Sequence, residues 1–247
     1  MEKKVNFLIA GAQKAGTTAL HAYLKLHPEI CMAIPKEVHF FDNESFFTQN
    51  TVDYSLYHRA FPPNPTHALL GECTPIYMYW QNAPKRIWQY NPAMKIILIL
   101  RNPIERAFSH WNMEFSKNKE RLSFWEAIYN EQRRCQEALP FQHRVYSYID
   151  RGFYSKQLQK MWRHFPKANT LVLRHEDLKT SPQKTLDEVF GFLGVEKLTP
   201  IERQTIFATP YIGDMRIEEK NFLLDIYEDE LSRIEKLLNW DCSGWRK

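Results

Sequence analysis

The sequence predicts an α/β fold of three layers, with a central, mainly parallel sheet flanked by helices. Two observations carry this expectation. Short apolar runs alternate along the chain with stretches of helical periodicity, the order that builds parallel strands joined by crossover helices. One run, Ile96-Ile97-Leu98-Ile99-Leu100, is unbroken by any polar residue, as a strand buried on both faces of a parallel sheet requires.

Taken in order, strands are expected at Val5–Ala10, Ala68–Gly71, Lys95–Leu100 and Thr170–Leu173. Helices are expected at Thr17–Leu26, Asp53–Ala60, Pro84–Tyr90, Ile104–Phe115, Ser123–Ala138, Tyr154–His164 and Pro182–Phe192. Pro84 and Pro103 stand at helix starts, where a missing N–H costs least. Pro62-Pro63-Asn64-Pro65 marks a surface loop. A last helix runs from about Arg216 to Leu238 and aligns Leu224, Tyr227, Leu231, Ile234 and Leu238 on one face, a stripe suited to packing on the domain's own sheet. With no linker, repeat or low-complexity tract, residues 1–247 are expected to form one domain.

A hydrophobic content of 44% and a charged content of 25% are those of an ordinary globular chain. The net charge of +4 suits a small polyanionic ligand and argues against nucleic acid as a partner. Cys31, Cys73, Cys135 and Cys242 are scattered, with no Cys-x-x-Cys pair and no metal-site spacing, so they read as reduced thiols. Met1-Glu2-Lys3-Lys4 leads straight into the first strand, and no apolar segment approaches the ~20 residues that span a bilayer. A cytoplasmic protein without a membrane span is expected.

The first strand ends at Ala10, a glycine-bearing loop follows, and Thr17-Thr18 opens a helix. Strand, loop and helix in that order build an anion cradle, because the free N–H groups and the positive dipole end of the helix converge on one spot. Gly11 and Gly16 have the spacing of an ATP-binding P-loop, which continues Gly-Lys-Ser/Thr. Here Thr17 stands where that lysine belongs, and Lys14 lies inside the loop instead. The loop is therefore P-loop-like, with its positive charge delivered from another direction.

A second anion site is expected where the buried strand ends in Arg101-Asn102-Pro103. ATPases and GTPases of P-loop type hold Mg²⁺ with an aspartate near such a strand end. An arginine there invites a second anion in place of a metal, at the carboxyl end of the sheet where ligands of open α/β folds bind. Ser109, two helical turns on, can add a hydroxyl donor, whereas Arg106 reads as a partner in an ion pair. Two separated anion sites imply a nucleotide with phosphates at two positions, bound without metal.

Together these residues resemble the sulfotransferases that use 3′-phosphoadenosine 5′-phosphosulfate (PAPS), in particular the heparan-sulfate-type and related bacterial branch. Lys14-Ala15-Gly16-Thr17-Thr18 resembles the family's Lys-x-Gly-Thr-Thr loop, and Arg101 to Ser109 resembles its Arg-x-Pro-x-x-Arg-x-x-Ser segment. Three further blocks are similar: Lys36-Glu37-Val38-His39-Phe40-Phe41-Asp42, Gly71-Glu72-Cys73-Thr74-Pro75-Ile76-Tyr77, and Arg151-Gly152-Phe153-Tyr154. The likeness runs in order from about residue 5 to residue 195 and fades after residue 200. Ala15 replaces a common glycine, and Cys73 stands where several glycosaminoglycan-acting members carry a lysine. Tyr211-Ile212-Gly213-Asp214 is the candidate for the loop that covers the nucleotide in many members.

The resemblance implies a three-layer P-loop-like fold and PAPS as sulfuryl donor, with adenosine 3′,5′-bisphosphate as product and no metal required. It assigns Lys14, Ala15, Gly16, Thr17 and Thr18 to the 5′-phosphosulfate, and Arg101 and Ser109 to the 3′-phosphate. Lys14 and Glu37 become the catalytic pair, Lys14 for leaving-group charge and Glu37 as general base. Phe40 and Phe41 are expected to desolvate Glu37 and raise its pKa. Lys36, His39, Phe40 and Tyr77 are candidates for the acceptor cleft; the local residues alone equally allow a Lys36–Glu37 surface pair and core roles for the aromatics. The acceptor is a hydroxyl or amine of a carbohydrate or small molecule. A P-loop kinase or NTPase, and a non-catalytic nucleotide-binding module, are the alternative readings.

Overall fold

The computed structural model describes residues 4–49, 51–201 and 210–247; Met1, Glu2 and Lys3, expected to lead into the first strand, lie outside them. Along the chain run β1 (Phe7–Gly11), α1 (Thr17–Leu24), β2 (Ile30–Met32), α2 (Ser55–His58), β3 (Leu69–Cys73), α3 (Ala83–Tyr90), β4 (Lys95–Leu100) and α4 (Pro103–Ser116). There follow α5 (Phe124–Tyr129), α6 (Glu131–Gln136), α7 (Tyr154–Trp162), β5 (Thr170–Arg174), α8 (His175–Thr180), α9 (Pro182–Leu193) and α10 (Ile217–Leu238). The chain divides into two compact units, Met1–Leu100 with Lys160–Ile206, and Arg101–Gln159 with Phe207–Lys247. Among the described residues no helix is long and apolar enough to cross a membrane.

The first unit holds one five-stranded sheet in the order β2-β3-β1-β4-β5, and every neighbouring pair is parallel. Its centre is the driest part: Phe7, Leu8, Ile9, Ala10 and Ile96 to Leu100 are all fully buried. Each large apolar side chain so buried contributes about 1.5–3 kcal/mol, which makes β1 and β4 the anchor of the unit. Close packing between strands depends on Gly71, where an added Cβ would lie 2.1 Å from the Phe7 ring. The connection after β1 leads to one edge of the sheet and that after β4 to the other. The carboxyl ends of these adjacent strands therefore form the topological switch point, where open α/β sheets hold their ligands.

Short apolar stretches hide from periodicity. β2 is only three residues, Ile30–Met32, too few to show a strand period, and α8 is a six-residue helix directly after β5. The expected helix Ser123–Ala138 is two helices that meet at Asn130. There the Asn130 side chain donates to the Glu126 carbonyl at 2.8 Å, sharing it with the Asn130 N–H at 3.1 Å.

The second unit is helical and is organised on α4, which packs against α10, α5 and the turn Asp150–Gly152. The expected packing of the α10 stripe on the sheet is corrected accordingly: its contact surface is α4, with Leu223, Tyr227, Leu231 and Ile234 buried. This unit buries charge to an unusual degree. Arg106 is wholly buried and donates through Nη2 to the Tyr148 carbonyl, so it fixes a turn where an ion pair was expected. Arg134 is buried against Glu120 at 2.7 Å. Glu131 accepts the N–H groups of Ile149 and Asp150, and burial pushes its carboxyl up to about 8.

Candidate active site

In the first unit the loop after β1 is built to expose backbone donors. Gly16 caps α1 at φ 98° and Lys14 sits at φ 69°, both in the left-handed region. A Cβ at Gly16 would be strained by that backbone and would meet His175 Nδ1 at 2.9 Å, so only glycine fits. The start of α1 has no capping side chain and no acidic residue in its first turn. Its first N–H groups, on Thr17 and Thr18, are thus left to an incoming anion. Thr17 is buried and Thr18 exposed at this helix start.

Ala15 behaves differently from expectation. Its N–H donates to the Ala12 carbonyl at 3.2 Å, its carbonyl accepts from His175 Nδ1 at 3.0 Å, and its side chain is fully buried. With both backbone groups engaged it offers the ligand nothing, and its place among the binding residues is corrected to that of a loop brace.

The segment from Lys36 to Asp42 carries the acid–base groups. Glu37 and His39 both adopt positive φ, 64° and 56°, a costly conformation for residues with side chains. The Glu37 N–H donates to the Cys73 carbonyl at 3.0 Å, tying the segment to the end of β3. Lys36 Nζ pairs with Glu37 Oε1, and His39 Nε2 lies 3.6 Å from Glu37 Oε2. His39 Nδ1 is held at 3.0 Å by Asp42, whose side chain is fully buried.

These contacts reverse the expected electrostatics. Burial alone would raise Glu37, but the hydrogen bond with His39 and the charge of Lys36 outweigh it and hold the carboxyl down at about 2. The hydrogen bonds to Asp42 and Glu37 lift His39 to about 9, against its burial. At neutral pH the pair is a carboxylate beside an imidazolium. Burial, then the charges of Lys36 and Lys25, push His21 on α1 down to about 4, so it stays neutral.

The flanking Phe40 and Phe41 do not leave Glu37 with a raised pKa. Both are buried in an aromatic cluster, Phe40 stacking on Phe46 and Phe41 meeting Tyr77 edge-on. Tyr77 is likewise wholly buried; its hydroxyl accepts the Phe40 N–H at 3.0 Å and donates to Glu72 at 2.8 Å. The acceptor-cleft assignment of Phe40 and Tyr77 is therefore corrected to a core role: they hold the segment that carries Glu37 and His39.

In the second unit Arg101 continues the chain from the end of β4. Its Nε and Nη2 donate to Glu105 Oε2 at 3.0 and 2.8 Å, and Tyr154 donates to its carbonyl at 2.8 Å. Ser109 lies on α4 with 8% of its surface exposed.

The sulfotransferase domain family model matches residues 4–216. The chain belongs to the sulfotransferase family. This sulfotransferase is 32% identical over 197 residues to bifunctional heparan sulfate N-deacetylase/N-sulfotransferase 3 of Homo sapiens, covering 76% of the chain and 22% of that protein. It is 32% identical over 199 residues to heparan sulfate glucosamine 3-O-sulfotransferase 6 of Mus musculus, covering 77% of the chain and 52% of that protein. The chain thus spans only part of the length of these relatives. Among solved structures, a sulfotransferase from Alicyclobacillus acidocaldarius superposes with a TM-score of 0.84 at 27% identity, over 99% of this chain and 100% of that one. Mouse sulfotransferase SULT7A1, complexed with PAP, shares the fold at a TM-score of 0.56 and 13% identity, over 95% and 85% of the two chains. None of these comparisons favours the kinase reading.

Three groups of the sulfotransferase escaped reasoning from sequence. His175 braces the anion loop from 160 residues away and has no local signal. Asp42 pins His39 from three residues on, a spacing visible in the Lys36–Asp42 block had it been read as a hydrogen-bonded pair. Tyr154 belongs to a block matched by likeness alone; its hydroxyl on the Arg101 carbonyl supplies the physical reason.

Proposed function

We propose that this sulfotransferase moves a sulfuryl group from PAPS to a hydroxyl or amine of a carbohydrate or small-molecule acceptor. The observation that carries the reading is the open start of α1, a left-handed glycine cap with no competing side chain and no first-turn acid, beside Lys14. That donor set fits a phosphosulfate, because amide dipoles and one ammonium suit an anion that needs no metal. PAPS would supply the sulfuryl group and leave as adenosine 3′,5′-bisphosphate. Carbohydrate acceptors are suggested by the names of the heparan sulfate relatives. Four free cysteines support a reducing, cytoplasmic setting.

Each residue then has a task. Thr17, Thr18 and the Gly16 amide hold the 5′-phosphate, while Arg101 and Ser109 take the 3′-phosphate. Lys14 stabilises charge on the bridging oxygen as its bond to sulfur breaks. Glu37 accepts the acceptor's proton as the new bond to sulfur forms. Protonated His39 and Lys36 keep Glu37 ionised and ready for that proton.

The test is transfer of labelled sulfate from PAPS to pooled hydroxyl and amine acceptors. Labelled product that depends on Lys14 is expected. Tight binding of adenosine 3′,5′-bisphosphate with no product from any acceptor class would replace the enzyme by a nucleotide-binding module.

A further inference from the structure

We infer that Asn102 and Tyr154 are positioning residues for Arg101, and that the C-terminal segment, α10 with the turn Ser243–Arg246, sets both of them in place. The inference rests on the proposed role of Arg101 as the 3′-phosphate ligand and lies wholly within the second unit. It gives a task to residues 217–247, which the sulfotransferase family match does not reach.

Asn102 forms the corner that opens α4, at φ −40° and ψ 116°. Its side chain is buried and engaged at both ends: Oδ1 accepts the Ile104 N–H at 2.9 Å, and Nδ2 donates to the Trp245 carbonyl at 3.1 Å. Serine, threonine or aspartate would also cap the helix, yet only asparagine joins that acceptor to an N–H donor. The residue type is therefore matched to the Trp245 carbonyl as much as to α4. On the other side, the Tyr154 hydroxyl donates to the Arg101 carbonyl at 2.8 Å. The peptide that joins Arg101 to Asn102 is thus held at both ends, which fixes the direction in which the Arg101 side chain leaves the backbone.

Both supports lead back to the C-terminal segment. The Trp245 N–H donates to the Cys242 carbonyl at 2.9 Å, and the Cys242 N–H donates to Glu235 Oε1 at 3.1 Å. Arg246 closes this turn on α10: its Nη1 and Nη2 donate to Glu235 Oε1 and Oε2 at 2.7 and 3.0 Å, and its Nε to Glu228 Oε1 at 3.0 Å. Such a forked pair resists rotation as a single contact does not. Further up α10, buried Glu230 accepts the Ser155 N–H and hydroxyl at 2.6 and 2.7 Å, pinning the residue that follows Tyr154.

A ligand-binding group must be held within about 0.5 Å of its productive place, and hydrogen bonds behind it do that work. Glu105 contacts the guanidinium itself, whereas Asn102 and Tyr154 set the point from which the guanidinium starts. An amide and a phenol are neutral, so they fix that point without adding a charge that would repel a phosphate.

The experiment compares binding of adenosine 3′,5′-bisphosphate and adenosine 5′-monophosphate by calorimetry to the full chain and its variants. Asn102→Ser keeps a cap acceptor, loses the N–H donor, and should weaken the bisphosphate about fivefold, the scale of one neutral hydrogen bond, while leaving the monophosphate unchanged. Tyr154→Phe should show the same selectivity. Arg246→Met, which releases the turn from Glu235, should show it too, and should cost less in the Asn102→Ser background than in the native chain. Bisphosphate binding unchanged in Asn102→Ser or Tyr154→Phe, or weakened there equally with the monophosphate, overturns the inference; with Arg101→Ala still selective, the reading of Arg101 is spared. Full additivity of Arg246→Met and Asn102→Ser overturns the link to the C-terminal segment. Equal loss of both nucleotides in Arg101→Ala overturns the reading of Arg101 and the inference with it.

Discussion

Glu37 is held at about 2 and His39, two residues on, at about 9, so between those limits each stabilises the charged form of the other. A carboxylate this depressed is always ready to accept a proton and poor at keeping one. His39 and Lys36 together set its basicity. Replacing Lys36 by methionine removes a lowering influence, so the Glu37 pKa rises and the acid limb of the kcat/KM profile moves to higher pH; an unmoved limb would detach Lys36 from the base. Glu37→Ala should lower kcat by about 10²–10⁴-fold, the usual contribution of a general base, with adenosine 3′,5′-bisphosphate affinity intact. Steady-state rates within a few-fold of the native enzyme would remove Glu37 from the mechanism.

At the scale of an element, the segment from Lys36 to Asp42 is a strained strap stapled to the sheet. Its backbone is fixed by Glu37 N–H on the Cys73 carbonyl and by the Phe40 N–H on Tyr77, whose own hydroxyl reaches buried Glu72. Tyr77→Phe strands two N–H groups, of Phe40 and Phe41, and one carboxylate contact, and should cost about 1–3 kcal/mol in denaturant unfolding without changing nucleotide affinity. An unchanged midpoint would show the network to be incidental. The strap should also respond to pH. His39 has a raised pKa, so its stabilising effect is complete below 6.5 and is lost as pH rises through about 9. Glu37 has a lowered one, so its effect is complete above 4.5 and is lost as pH falls toward about 2. The protection factors of the Phe40 and Phe41 amides, after correction for intrinsic base-catalysed exchange, should accordingly be largest between pH 4.5 and 6.5, the interval where both effects are complete. Lower protection there than at pH 9 would contradict the assignment.

For the whole molecule, nucleotide class is the decisive property. A ligand bound only by the folded state stabilises it by about 2.7 kcal/mol at a hundredfold its Kd. Adenosine 3′,5′-bisphosphate should raise the melting temperature on this scale, and Mg-ATP at equal concentration should not. The reverse order would return the protein to the kinase class.

Lys14, Gly16, Thr17, Arg101 and the run Ile96–Leu100 were legible in the sequence because their meaning is local: a turn, a helix start, a strand end, a dry strand. That local information determined the fold class and the family. Which neighbours surround a side chain is a long-range matter, and only the tertiary structure decided it. Phe40 and Tyr77 look the same in sequence whether they line a cleft or a core, and their burial settled the point. The depression of Glu37 depends on where His39 and Lys36 place their nitrogens, and the bracing of Ala15 on a histidine 160 residues away. Spacing along a chain encodes backbone geometry directly, whereas charge and burial are set by partners that folding brings from afar.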